Sequence, residues 1–369
     1  MKALLSLVLI GISGIISNPV VAKPTLRLPK SDQILQRQSA TYLFAPDYLG
    51  QKIHVRYIDS VPPIFAVKNN DQNADYTEIA TPNCNPNSVA INSNKLYVAC
   101  NKDKGNGDKI LAYELGNAIA RNQKFIPVKT ITSSEFKSLI ALAFDPQNNL
   151  WVSSYGNNKI AQISSANLAS ASPQVSKALV NSPAEPVGIT FDSDGSLWAV
   201  GTFSGGIVVN IPAAELNKSG LGIDANVRYC LSKAASGCRQ DPNAFSFPEG
   251  IALLNGQIWV SNNGGDRPGF KLLALSINRN QLEIQNTVGT SAGNPFSCPG
   301  GLFSYGKDLY INDQSYTLSN TSCGNGDASS PVDGVIRYTG GNFSVTPKVW
   351  KNTTSRPGFG GIAVWKTGS

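Results

Sequence analysis

The chain is poor in side chains that move protons and rich in side chains that only hydrogen-bond. Among its 369 residues there is one histidine, His54, and there are six cysteines. One imidazole leaves no pair for histidine-based acid–base work, and a Ser-His-Asp triad would have to form around that one position. His54 lies in Ile53-His54-Val55-Arg56-Tyr57, an alternation that predicts a solvated histidine on the polar side of an outer strand. Zinc is short of ligands, since the cysteines include no CxxC pair. What remains is oxygen and amide chemistry. A polar or aromatic ligand could be held by hydrogen bonds, or a hard cation (Ca²⁺ or Mg²⁺) by Glu and Asn oxygens. No sequence feature calls for an organic cofactor.

The residues able to do this recur at equivalent places because the chain repeats. Five times a small-residue turn leads into an apolar run, a polar turn, and an aliphatic–aromatic pair. The pairs are Leu96-Tyr97, Leu150-Trp151, Leu197-Trp198, Ile258-Trp259 and Leu309-Tyr310. The aromatics lie roughly 50 residues apart, the period of radial β-repeats. Two further strand-like runs follow most copies, giving four short strands per unit split by Gly, Asn, Asp and Pro turns. Residues 213–247 read as a long insertion in the third unit. At the C-terminus, Pro357 to Trp365 forms a first strand with nothing after it. At the N-terminus, Ile53–Tyr57, Ile64–Val67 and Tyr76–Ala80 are outer strands with no inner one. Joining the ends makes a sixth unit and leaves no open sheet edge. The fold class is therefore all-β: a six-bladed β-propeller over residues 51–369, closed by pairing the N-terminal outer strands with the C-terminal inner strand.

Within that ring, the residue before each first strand and those after each second strand share one face. The first set is Asn87, Ile140, Val187, Glu249, Gly300 and Gly360. The second includes Asn101, Ser154, Tyr155, Thr202, Asn262, Asn263, Asn312 and Asp313. Ligand sites at the mouth of a β-ring are the default expectation. Asn87, Asn101, Tyr155, Thr202, Asn262, Asn263, Asn312 and Asp313 are thus the candidate ligand-binding residues. Glu249 and Asn87 are the candidate metal ligands. Asp192-Ser193-Asp194-Gly195 resembles the start of a calcium loop but lacks the downstream glutamate, and reads as a hairpin turn. The recurring Trp and Tyr residues read as packing between sheets.

Residues 1–22 have the form of a secretion signal, with Lys2, an apolar stretch and a Val20-Val21-Ala22 cleavage site. Residues 23–50 then read as an N-terminal extension. Export to the periplasm or the medium is the expectation, and no later run reaches the roughly 20 apolar residues of a membrane span. An even cysteine count in an exported chain favours disulfides. Placement at shared rims pairs Cys84 with Cys100, Cys230 with Cys238, and Cys298 with Cys323. The net charge of +7 is spread over a chain with only 15% charged residues, which argues against a nucleic-acid footprint. The oligomeric state stays open.

The phrase Pro-x-Gly-apolar-x-apolar-Asp…Gly-x-Leu-Trp, clearest at residues 186–200, resembles the NHL repeat and the related gluconolactonase-type propellers. The resemblance implies a carboxylate-and-carboxamide cage for a divalent cation at the pre-strand positions. Only Glu249 and Asn87 match, so lactonase activity of the family type lacks two ligands. Exported propellers of similar kind also occur in cyanobacterial scytonemin pigment biosynthesis, which would imply an aromatic indolic substrate. Two functions follow: a platform binding a small polar or aromatic molecule or a protein partner, and a metal-dependent lactonase- or lyase-like enzyme that does not use histidine.

Overall fold

The computed structural model describes residues 41–48, 50–58, 76–101, 107–116, 125–181, 183–202, 205–263, 271–289, 296, 298–313, 334–339, 342–345 and 360–367. The chain opens with β1 (Thr41–Asp47), β2 (Lys52–Tyr57) and β3 (Tyr76–Ala80). Blade 1 is β4 (Asn85–Asn92), β5 (Lys95–Asn101), β6 (Lys109–Glu114) and β7 (Lys129–Thr132). Blade 2 is β8 (Leu139–Phe144), β9 (Leu150–Ser154), β10 (Lys159–Ile163), a short helix α1 (Ser165–Ala169) and β11 (Lys177–Val180). Blade 3 holds β12 (Pro186–Phe191), β13 (Leu197–Gly201) and β14 (Ile207–Ile211), then α2 (Ala213–Leu216) and β15 (Gly220–Ile223). It finishes with β16 (Tyr229–Ser232) and β17 (Arg239–Gln240). Blade 4 is β18 (Pro248–Leu254), β19 (Gln257–Asn262), β20 (Lys271–Asn278) and β21 (Gln281–Val288). Blade 5 is β22 (Pro299–Tyr305), β23 (Asp308–Asp313), β24 (Gly334–Thr339) and β25 (Asn342–Val345). The last strand, β26 (Ala363–Lys366), pairs antiparallel with β1, and β2 and β3 complete blade 6. Six antiparallel sheets form a β-propeller, as the repeat predicts.

Three expectations are corrected. The N-terminal extension does not reach residue 50, because Thr41–Asp47 is the second strand of blade 6. Its side chains are buried along the whole strand, so it carries no alternation to read. The stretch 213–247 is not simply an insertion. It contains β16, the fourth strand of blade 3, while β15 runs parallel along the outer edge of blade 2. His54 is not solvated but 1% exposed. Its Nε2 lies 3.0 Å from Asp47 Oδ2, and its Nδ1 lies 3.8 Å from Glu78 Oε1. The buried carboxylate across the hairpin gives this imidazole a partner that water would otherwise supply. The Ile64–Val67 run lies outside the described residues.

The core is divided among the interfaces. Six apolar clusters each join residues of two adjacent blades. Alternate residues of one strand serve opposite neighbours: Leu150 and Val152 face blade 1, whereas Trp151 between them packs against blade 3. Tyr97, Trp198, Trp259 and Tyr310 likewise each reach the following blade, so these rings fill the wedge between sheets as expected.

Polar contacts pin the same wedges. Ser153 Oγ accepts from Ala141 N (2.8 Å) and donates to Val187 O of the next blade (2.6 Å). Ser261 Oγ repeats this with Gly250 N and Gly300 O. Trp151 and Trp198 donate their indole N–H to Asp145 (2.8 Å) and Asp192 (3.0 Å) in the inner-hairpin turns. Asp192 also accepts from Ser196 N, which makes this segment a turn, as read from sequence. At the rim, Lys129 Nζ donates to Leu168 O and Ser170 O at the end of α1, and Lys177 Nζ donates to Leu216 O of α2. Each lysine ties an outer strand to the next blade and meets the negative end of a helix.

Trp259 Nε1 is buried without a hydrogen-bond partner, because Leu254 stands where Asp192 stands in blade 3. Urea unfolding of Trp151→Phe, Trp198→Phe and Trp259→Phe should therefore separate. The first two lose a bond to a carboxylate and should cost about 1.5–3 kcal/mol more than the third. Gly250→Ala should cost about 2 kcal/mol or more, because its Cβ would fall 2.4 Å from Gly300 O of the adjacent inner strand.

Candidate functional site

The central channel is bounded by the first strands β4, β8, β12, β18 and β22 and by residues 360–362 leading into β26. Each first strand is the terminal strand of its sheet, so one edge of its backbone has no strand partner and faces the axis. The cavity holds about 270 Å³ and no charged side chain lines it. It closes at the end where the first strands begin. There Gly360 N donates to Asn87 O (2.9 Å), Ser88 bridges Gly361, and a Cβ on Gly360 would fall 1.5 Å from Ile140 O. Only glycine permits that approach.

The recurring polar residues after the second strands turn out to be fasteners. Asn262 Oδ1 accepts from Ser246 N (2.7 Å) and Phe247 N (3.2 Å), just before β18. Asp313 Oδ1 accepts from Cys298 N (2.5 Å), before β22. Ser154 Oγ accepts from Lys137 N (2.7 Å), before β8. Thr202 Oγ1 donates to Glu185 Oε2 (2.7 Å), before β12. In blade 1 the Cys84–Cys100 disulfide joins the corresponding two points, with Asn101 beside it, paired to Asn85. The position after the second strand thus holds down the segment entering its own blade. Asn312 is fully buried in β23. Cys230–Cys238 is also formed. Cys298 is disulfide-bonded, and its expected partner Cys323 lies outside the described residues.

Of the two metal candidates, Asn87 is fully buried, and its Nδ2 donates to Leu139 O at 2.8 Å. Its Oδ1 has no hydrogen-bond partner. Glu249 is half-buried on β18, and its backbone carbonyl lies against Gly188. Among the described residues no three His, Cys, Asp or Glu side chains gather as a metal-binding group.

The remaining candidates lie on blades 2 and 4. Tyr155 opens a 3₁₀ turn and packs half-buried against the apolar cluster of blades 3 and 4. Asn263 is 9% exposed, yet neither its Oδ1 nor its Nδ2 has a partner, while its N–H is taken by Phe247 O at 2.8 Å. Two residues here escaped the sequence reading. Phe247 is 53% exposed although its neighbours Phe245 and Pro248 are buried. Lys271, paired with Asn262 in the β19–β20 ladder, is held below the usual lysine range by burial and secondarily by Lys233. Phe247 departs from the repeat and so had no equivalent to reveal it. Lys271 begins a third strand and looks like an ordinary solvated charge.

No family model matches the chain, and no curated protein matches it in sequence. Solved structures do resemble it. A chain of a nidogen/laminin complex is 14% identical with a TM-score of 0.56, over 88% of this chain and 98% of that one. A Bacteroides caccae protein of unknown function is 12% identical with a TM-score of 0.55, over 88% and 98%. Virginiamycin B lyase from Staphylococcus aureus is 14% identical with a TM-score of 0.50, over 90% and 92%. Such neighbours are six-bladed β-propellers, and at these identities they show a shared fold. This chain is therefore a six-bladed β-propeller.

The fastener reading separates neighbouring asparagines. Asn262→Ala strands two backbone donors and should lower unfolding free energy by about 2–3 kcal/mol. Asn263→Ala removes an amide with no partner and should shift it by less than about 1 kcal/mol. Chemical denaturation of both variants checks the contrast.

Proposed function

We propose that this protein is an exported binding propeller that captures a small polar or aromatic molecule on the face where the first strands begin, over blades 2 to 4. The observation carrying this reading is Asn263. A buried carboxamide with both ends unpaired loses solvation for no internal return, and a ligand's donor and acceptor would supply the missing bonds. Phe247, whose carbonyl takes the Asn263 N–H, offers a ring beside it, Tyr155 of blade 2 offers a second, and Glu249 and Lys271 offer both signs of charge. The constriction at Gly360 gives the ligand a floor. Export is supported by the disulfides, and among the described residues no helix is long and apolar enough to cross a membrane.

A second reading keeps Ca²⁺ or Mg²⁺ at Glu249 and Asn87, supported by the partnerless Asn87 Oδ1. A cation there would act as a Lewis acid in a lactonase- or lyase-like reaction, or on an indolic substrate of the kind the scytonemin resemblance implies. The fold allows either role. Of the neighbours, one belongs to a nidogen/laminin complex and another is named a lyase, so a protein partner on the same face is a variant of the first reading.

Calorimetric titration with phenol, indole and indole-3-carboxylate tests the proposal. At least one should bind saturably, and Phe247→Ala and Asn263→Ala should each weaken it about tenfold, near 1.4 kcal/mol, while stability is kept. No saturable binding, or binding indifferent to both changes, would discard it. Elemental analysis decides the second reading: one equivalent of Ca or Mg, lost in Glu249→Gln, is its expected signature.

A further inference from the structure

A second cavity lies away from the axis, on the outer rim between blades 2 and 3. It holds about 560 Å³, twice the channel. Pro183 and Ala184 line it from the loop before β12, Ile207 and Val209 from β14, and Val227 from the approach to β16. The Cys230–Cys238 disulfide forms another wall with Ala234, Ala235 and Ser236 of the loop it closes, and Asn181 contributes one amide. None of the lining side chains is charged, although the chain carries a net charge of +7. An ion would leave water here without a counter-charge, whereas an uncharged apolar molecule would lose nothing. The volume lies within the 300–1,000 Å³ usual for small-molecule sites.

The disulfide in that wall differs from its counterpart in blade 1. Cys84 and Cys100 are 2% and 1% exposed inside a core cluster, whereas Cys230 and Cys238 are only partly buried. A thiolate attacks only a sulfur it can reach. Apart from the cross-link, the loop is held at its ends by the short β16–β17 pairing, Leu231 with Arg239 and Ser232 with Gln240, and within it by side-chain bonds. Ser232 Oγ accepts from Ala234 N at 3.3 Å and Ala235 N at 3.1 Å, and Gln240 Nε2 donates to Ala234 O and Ala235 O at 3.4 and 3.5 Å. The Gln240 bonds are long and weak, and Ala234–Ser236 lie between the paired strands rather than within them. Opening the cross-link therefore removes the covalent tie on the Ala234–Ser236 wall and leaves Ile207 and Val209, on blade strand β14, in place.

We propose that this rim cavity binds a small uncharged apolar molecule, and that the Cys230–Cys238 disulfide is a redox latch holding one wall of the site in place. The reductant is a dithiol. Its two sulfhydryls are oxidised to a disulfide, while the Cys230–Cys238 bond takes up two electrons and two protons to become two thiols.

The test titrates the oxidised protein with N-phenyl-1-naphthylamine and follows the fluorescence rise on entering an apolar site. One saturable equivalent is expected. The same ring system bearing a sulfonate, 8-anilinonaphthalene-1-sulfonate, should bind at least tenfold more weakly. Dithiothreitol is then raised to the point where alkylation and mass spectrometry find only Cys230 and Cys238 modified. Affinity for the naphthylamine should fall at least tenfold, and a Cys230→Ser/Cys238→Ser double variant should match it. Should that variant fail to fold, Val227→Asp, at a position 38% exposed, should abolish binding by itself. Phe247→Ala should leave it unchanged, which separates this site from the one over blades 2 to 4. Absence of saturable binding, equal binding of the sulfonate, or binding indifferent to Val227→Asp overturns the site. Unchanged affinity in the selectively reduced protein overturns the latch.

Discussion

Each sheet in this molecule is apolar on both faces, and that single condition dictates the rest. A sheet buried on one side could end the array, but here every blade needs a neighbour on each flank. The array can satisfy all six only by closing. The β26–β1 pairing achieves this, because it builds the last blade from the two ends of the chain and gives blades 5 and 1 their missing partners. The contribution of the wedges is large. Each buried tryptophan or tyrosine removes on the order of 150–250 Å² from water, and Tyr97, Trp151, Trp198, Trp259 and Tyr310 each do so at an interface between blades.

Closure also sets the character of the axis. Six first strands converging at one end bring backbone against backbone, and glycines at 188, 250, 301 and 360 mark where no side chain fits between them. The motif Pro-x-Gly is therefore a statement about the neighbour's position. The bulges at the start of the first strands, as between Pro186 and Ile189 or Pro248 and Ile251, belong to the same adjustment. A channel narrowed by backbone has fixed dipoles but little room, so chemical individuality moves outward to the face and the rim.

Much of the architecture was legible because periodicity reports burial on both faces. The repeated aromatics, the blade count and two disulfides could be read directly, since each rests on local pattern. What escaped was whatever broke the pattern. Thr41–Asp47 is buried throughout, so nothing alternates to mark it as a strand. Tyr229–Ser232 lies beyond a detour that serves another blade. His54 sits on the side of its strand that the alternation marks as polar, yet that side is covered, and only Asp47, seven residues away in sequence, explains how it tolerates burial.

The site was legible in part, for a reason that bears on repeat proteins generally. Asn262, Asp313, Ser154 and Thr202 drew notice because polar residues recur at one position in successive blades. Recurrence is the mark of a task every blade shares, and that task is fastening the entering segment. The proposed ligand would be bound once, so its contacts should lie where the repeats disagree. Asn263, Phe247 and Lys271 are such positions: an amide without partners, a ring left in water between buried neighbours, and an ammonium held partly out of solvent. Their gathering in blade 4 is what the shared fold does not require, and it is where the individuality of this propeller resides.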